Sequence, residues 1–70
     1  MDKKEIARRL VEARGQRSQQ EVADAIGISR SALAMYELGL RIPRDEIKMK
    51  LAQLYETPIQ DLFYSSACHE

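Results

Sequence analysis

The side chains best equipped for chemistry stand close together in this sequence: Ser29, Arg30 and Ser31 in one run, with Met35 four residues beyond. Theirs is the chemistry of recognition. A guanidinium presents a fork of N–H donors that grips two acceptors at once, a serine hydroxyl both donates and accepts, and a methionine packs on apolar edges. Gln19 and the arginines Arg17, Arg41 and Arg44 flank that run and could hold anionic groups. Covalent and acid–base chemistry has no comparable cluster, because the one histidine and the one cysteine are the adjacent pair Cys68 and His69 near the end of the sequence. Two adjacent ligands fall short of the four that a structural zinc site takes, and a lone cysteine has no disulfide partner. Neither catalysis nor a metal or cofactor is expected, and Cys68 is assigned no role.

Formal net charge is zero, with 11 basic and 11 acidic side chains, which taken alone argues against a polyanionic partner. The distribution points the other way. From Arg8 to Arg44 there are seven arginines against four acids, and from Asp45 to Glu70 two lysines against five acids. A basic front and an acidic back suit a chain that turns one face to a polyanion. No apolar run approaches the roughly 20 residues needed to span a bilayer, and Met1-Asp2-Lys3-Lys4-Glu5 leads straight into charged sequence rather than an apolar signal core. A cytoplasmic protein with no membrane partner is expected.

Helices must position these residues, since nothing alternates with the period of a strand. Ile6, Leu10 and Ala13 give a first helix from Lys3 to Arg14. Ser18 and Glu21 form the S-x-x-E capping box of a second, which buries Val22, Ala23 and Ile26. Ser29 caps a third that runs to Leu38. A fourth covers Asp45 to Tyr55 and should bury Ile47, Leu51, Leu54 and Tyr55. Thr57, Pro58 and Gln60 should open a short fifth, capped by Thr57, with Ile59, Leu62 and Phe63 inward. The reading is all-α, five helices, one domain over residues 1–64, and a flexible tail over 65–70. Ile59, Leu62, Phe63 and Tyr64 are more apolar surface than a two-turn helix can cover, so a homodimer through this end is expected.

Counted from Gln19 as the first position, Val22, Ala23, Ile26, Gly27, Ile28, Leu33 and Tyr36 occupy the fourth, fifth, eighth, ninth, tenth, fifteenth and eighteenth. Two helices crossing at roughly 90–120° through a short turn need a small residue at the approach and a permissive residue in the turn, which Ala23 and Gly27 supply. With Leu33 and Tyr36 held inside, Ser29, Arg30, Ser31, Ala34 and Met35 must face outward. A major groove admits one helix, and there Arg30 could take guanine O6 and N7, Ser31 a base or a phosphate, and Met35 a thymine methyl.

Ser18-Gln19-Gln20-Glu21-Val22-Ala23, then Gly27-Ile28-Ser29-Arg30-Ser31, then Tyr36-Glu37-x-Gly39-x-Arg41-x-Pro43 resemble the phage lambda repressor and Cro-like helix-turn-helix family of bacterial and phage regulators, the xenobiotic-response-element type. The resemblance spans Lys4 to Phe63. It implies a compact five-helix lambda-repressor-like domain acting as a homodimer on a palindromic double-stranded DNA operator, with repression as the outcome. It places base contacts at Arg30, Ser31 and Met35, with Ser29 beside them. Gln19, Arg41 and Arg44 fall on positions that touch DNA or its phosphates, and Arg17 is a further phosphate candidate from its charge. Glu37 resembles the family's buried acid, with Arg14 at the matching first-helix arginine. The link from Arg14 to Ser18 is about two residues shorter than in most of the family. An alternative from a different class is a protein-interaction module, an antitoxin or anti-repressor that binds through helices four and five.

Overall fold

Hydrogen-bonding side chains decide where the first three helices begin. In the computed structural model, which describes residues 2–64, α1 spans Lys3–Arg14, α2 Gln19–Ile26, α3 Arg30–Glu37 and α4 Asp45–Leu54, and the chain closes in a π-helical turn over Gln60–Tyr64. No strand occurs among the described residues. The Asp2 carboxylate accepts the Lys4 N–H at 3.0 Å, and the Ser29 hydroxyl accepts that of Ala32 at 3.0 Å. At α2 the capping box is complete: Ser18 Oγ accepts from Glu21 N at 3.0 Å while Glu21 Oε1 accepts from Ser18 N at 2.9 Å. Each cap satisfies an amide that the helix itself leaves unpaired, worth about 1 kcal/mol. No side chain caps α4, whose first turn carries Asp45 and Glu46 on the positive end of its dipole instead.

One core takes side chains from all five segments. Leu10, Leu33 and Leu51 are fully buried, and around them lie Ile6, Val22, Ile26, Tyr36, Tyr55, Leu62 and Phe63. So small a domain buries only about 60 % of its unfolded surface, so truncating one of these leucines to alanine, at about 2–5 kcal/mol, removes a large part of its margin.

The second half of the chain departs from the expectations. Helices α3 and α4 each end one residue early, with Leu38 and Tyr55 as C-caps. The buried face of α4 is Lys48, Leu51 and Ala52, whereas Ile47 and Leu54 are only half-buried. A buried lysine turns that face because the terminal turn supplies its partners. Lys48 Nζ donates to Tyr64 Oη at 3.0 Å, lies 4.8 Å from the Tyr64 ring centroid and 5.7 Å from that of Phe63, and reaches the Asp45 carboxylate at 3.7 Å. Thr57 does not cap the last segment: its hydroxyl donates back to the Tyr55 carbonyl at 3.0 Å, and the Pro58 carbonyl accepts from Asp61 N at 2.9 Å and Leu62 N at 3.2 Å. From this turn Leu62 and Phe63 both enter the core.

Tyr55 is the unsatisfied member of this core. Its hydroxyl is buried without a hydrogen-bond partner. Burial pushes the phenol up to about 12, the Glu37 carboxylate adds to the rise, and Arg14 and Arg17 oppose it. A folded pKa above the unfolded value of roughly 10 means stability that is whole below pH 10 and lost as pH climbs toward 12, by roughly 3 kcal/mol in all. Tyr55→Phe is expected to flatten the alkaline fall between pH 10 and 12 relative to the parent. Since an unpaired buried hydroxyl costs about 1–3 kcal/mol, the variant should melt no lower than the parent at neutral pH, as calorimetry against pH would show.

Candidate nucleic-acid interface

A tight turn separates α2 from α3. Gly27 adopts the left-handed conformation at φ 77°, ψ 35°, and the next amide, Ile28 N–H, returns to the Ala23 carbonyl at 3.0 Å. A β-carbon is unfavourable at that φ, so the turn asks for glycine. Ala23 and Leu33 are fully buried on either side of the turn. Residues 19–38 are therefore two helices packed on a common core, not one rod. With Leu33, Tyr36 and Glu37 inward, α3 presents Arg30 and Ser31 fully outward, Met35 at 37 % exposure, and Ala34 half-covered. Ser29 is exposed, and its oxygen serves the cap.

The inward Glu37 gathers three helices. Its Oε2 accepts from Arg14 Nε at 2.8 Å and its Oε1 from Gln19 Nε2 at 2.9 Å, while its side chain keeps only 4 % of its exposure. The Arg14 guanidinium is held above its ordinary pKa, first by the hydrogen bond to Glu37, against the opposing effect of burial. Arg14 also donates through Nη1 to the Arg17 carbonyl at 2.7 Å, tying off the short link between α1 and α2. One amide proton of Gln19 is thus committed inward.

The remaining arginines sort into two groups. On α1, Arg8 pairs with Glu5 and, at 3.1 Å, with Glu12, and Arg9 meets Glu5 at 3.4 Å; all four line a groove with Thr57 and Asp61 beside the terminal turn. Arg17, expected to reach for phosphate, is exposed, lies over the Tyr55 ring at 5.9 Å and donates to the Leu54 carbonyl at 3.4 Å, an orphan acceptor at the end of α4. Arg30, Arg41 and Arg44 are exposed, and no described carboxylate stands within ion-pair distance of them. Leu38 and Leu40, which sequence reasoning passed over, extend this surface at 69 % and 62 % exposure. Their signal was present: Leu38 stands two residues past Tyr36, off its helical face, and Leu40 lies beyond the break at Gly39.

The expected apolar dimer surface shrinks. Leu62 and Phe63 are each only 3 % exposed because this chain's own core covers them, and Ile59 is half-buried against that core. Of the four, Tyr64 alone stands well out, at 46 %. Cys68, His69 and the tail over 65–70 lie outside the described residues, among which no group of three or more His, Cys, Asp or Glu could hold a metal ion, and no helix is long and apolar enough to cross a membrane.

Two short helices around a glycine turn, with the second presenting an arginine and a serine and cations beside it, define a helix-turn-helix DNA-binding domain. Residues 8–62 match the family described as helix-turn-helix, and the chain belongs to that family. Among its relatives is the cryptic phage CTXphi transcriptional repressor RstR of Vibrio cholerae, 39 % identical over 49 residues that make up 70 % of this chain and 44 % of the relative. The chain thus spans less than half the length of that curated relative. No solved structure gives a significant match.

Removing the acid at the hub leaves Arg14 Nε and Gln19 Nε2 without an acceptor, and breaking a buried pair costs about 3–5 kcal/mol. Glu37→Ala is expected near the lower end, since Arg14 keeps 20 % exposure, and to lower the melting temperature by more than about 10 °C. DNA affinity measured well below the new melting point should recover, because the carboxylate faces the interior. An unchanged melting curve would remove Glu37 from its structural role.

Proposed function

We propose that this domain is a sequence-specific transcriptional repressor that inserts α3 into the major groove of double-stranded DNA and acts in the cytoplasm as a homodimer on a palindromic operator. One observation carries the reading: in a chain of zero net charge, the cations left without carboxylates include Arg30, Arg41 and Arg44, on the recognition helix and the loop after it, while Arg8, Arg9 and Arg14 are paired off. Non-specific affinity comes from neutralising phosphates, so what counts is the charge of one face rather than the total. The relative named a transcriptional repressor supports the outcome assigned.

Arg30, at the first turn of α3, takes a guanine edge in two hydrogen bonds, a contact worth about 1–3 kcal/mol of discrimination. Ser31 bonds a base or a phosphate beside it, and Met35 offers an apolar surface to a thymine methyl. Ser29 keeps its oxygen for the cap and has a hydroxyl proton to donate. Arg41, Arg44 and the second amide proton of Gln19 grip the backbone and set the register. Tyr64, with part of Ile59, is the apolar end offered to a second copy.

Selection from a random oligonucleotide pool is expected to return half-sites about 34–36 Å apart, centre to centre, as two-fold symmetric binding requires. Arg30→Ala should relax preference at one base pair per half-site. Arg41→Ala should weaken all sequences alike and reduce the slope of log affinity against log salt by about 0.9 for each phosphate no longer neutralised. Identical behaviour of the two variants would sink this division of roles.

A further inference from the structure

Gly39 closes α3 at φ +76°, and the space in front of it is filled by the first turn of α1. A β-carbon there would stand 3.5 Å from the Lys3 carbonyl oxygen, 3.6 Å from Lys4 Cα and 3.7 Å from Ala7 Cβ. The backbone of Lys3 and Lys4 is therefore packed on the turn that leads, two residues later, to Arg41. Two peptide steps span at most about 7.6 Å, so the start of α1 borders the basic loop directly.

Both lysines are exposed, and neither has a described carboxylate within ion-pair distance. The acids nearest in sequence are engaged elsewhere. Asp2 caps its own helix through the Lys4 amide, and Glu5 is taken by Arg8 and Arg9. What remains beside the loop is positive charge on flexible stems, suited to a phosphate as a point charge.

We propose that Lys3 and Lys4 join Arg41 and Arg44 in a phosphate-binding strip that holds the DNA backbone alongside the recognition helix. The strip contributes affinity and salt dependence without reading sequence, and it rests on the DNA-binding function proposed above. It crosses from the first helix to the loop before α4, so a break in sequence of more than thirty residues hides it from any local charge count.

The test is the salt dependence of binding to the operator returned by selection, compared for the parent, the double variant Lys3→Gln/Lys4→Gln, the double variant Lys3→Arg/Lys4→Arg, and Lys50→Gln. Lys50 serves as the control because it lines a separate groove between α2 and α4 with Asp24 and Gln53. With two phosphates left unneutralised per protomer, four in the bound homodimer, the glutamine pair is expected to lower the slope by about 3.6 and to weaken binding roughly tenfold for each lysine lost near 0.1 M salt, with sequence preference intact. The arginine pair should restore the slope, and Lys50→Gln should leave it alone. Melting curves of all four proteins should coincide. A parent with no sequence preference overturns the sequence-specific function proposed above. A parent that binds its operator, with the glutamine pair at the parent's slope, overturns the strip alone, as does a changed base preference, which would place the lysines on base edges.

Discussion

An interior carboxylate cannot stand alone, and the fold is arranged around that constraint. Glu37 is nearly sealed from solvent, so its charge survives only where donors from other helices converge on it, Arg14 from α1 and Gln19 from α2. Those two bonds fix where the end of α3 lies relative to the helices behind it. The outward face of α3, with Arg30 and Ser31, is the reverse side of the same arrangement. The guanidinium of the Arg14–Glu37 pair is always charged, and this partner raises its pKa further. The short link after α1 remains compatible with it because Arg14 also holds the Arg17 carbonyl, so that the arginine organises both the interior acid and the loop that delivers α2.

Charge pairing does something different on the surface. Exposed pairs one helical turn apart, such as Arg8 with Glu5 and Glu12, add little stability because solvent screens them. Their consequence is the shape of the field. With screening over about 8 Å at physiological salt, a phosphate feels the charges near it and not the sum over the molecule. Neutralising the back of α1 while leaving Arg30, Arg41 and Arg44 unpaired makes a directional cation out of a neutral chain. Lys48 is withdrawn as well, buried between Asp45 and the rings of Phe63 and Tyr64.

The front of the molecule was legible in the sequence because its signals are local. Ser18 and Ser29 cap within three residues, Gly27 announces its own conformation, and Val22, Ala23, Leu33 and Tyr36 keep a helical period. The outward face of α3 followed by subtraction. The back was less legible because its determinants are distant. Arg17 looked like a free cation until the end of α4, 37 residues away, supplied a carbonyl, and one amide proton of Gln19 is claimed by an acid 18 residues on. Lys48 could not be read as buried without knowing that two aromatic rings would close over it. No glycine marks the end of α4, where Glu56 takes a left-handed φ of 53°, and the last segment winds as a π turn that Thr57 does not cap. The excess of apolar residues there suggested a partner, whereas Leu62 and Phe63 had places in this chain's own core.

A recognition helix anchored at both ends has little left to order when it meets its target. The start of α3 is fixed by the Ser29 cap, its end by Glu37, and the exit by the Leu40 N–H returning to the Met35 carbonyl at 3.0 Å. Ordering costs about 0.5–1.5 kcal/mol per immobilised long side chain, so under the proposed mode of binding the cost falls on Arg30, Met35 and the loop arginines rather than on the backbone. In the proposed mode of binding, discrimination between operators then comes from how well Arg30, Ser31 and Met35 fit a given set of base edges. Rigid placement makes a wrong base cost an unmade hydrogen bond that the helix cannot shift to recover.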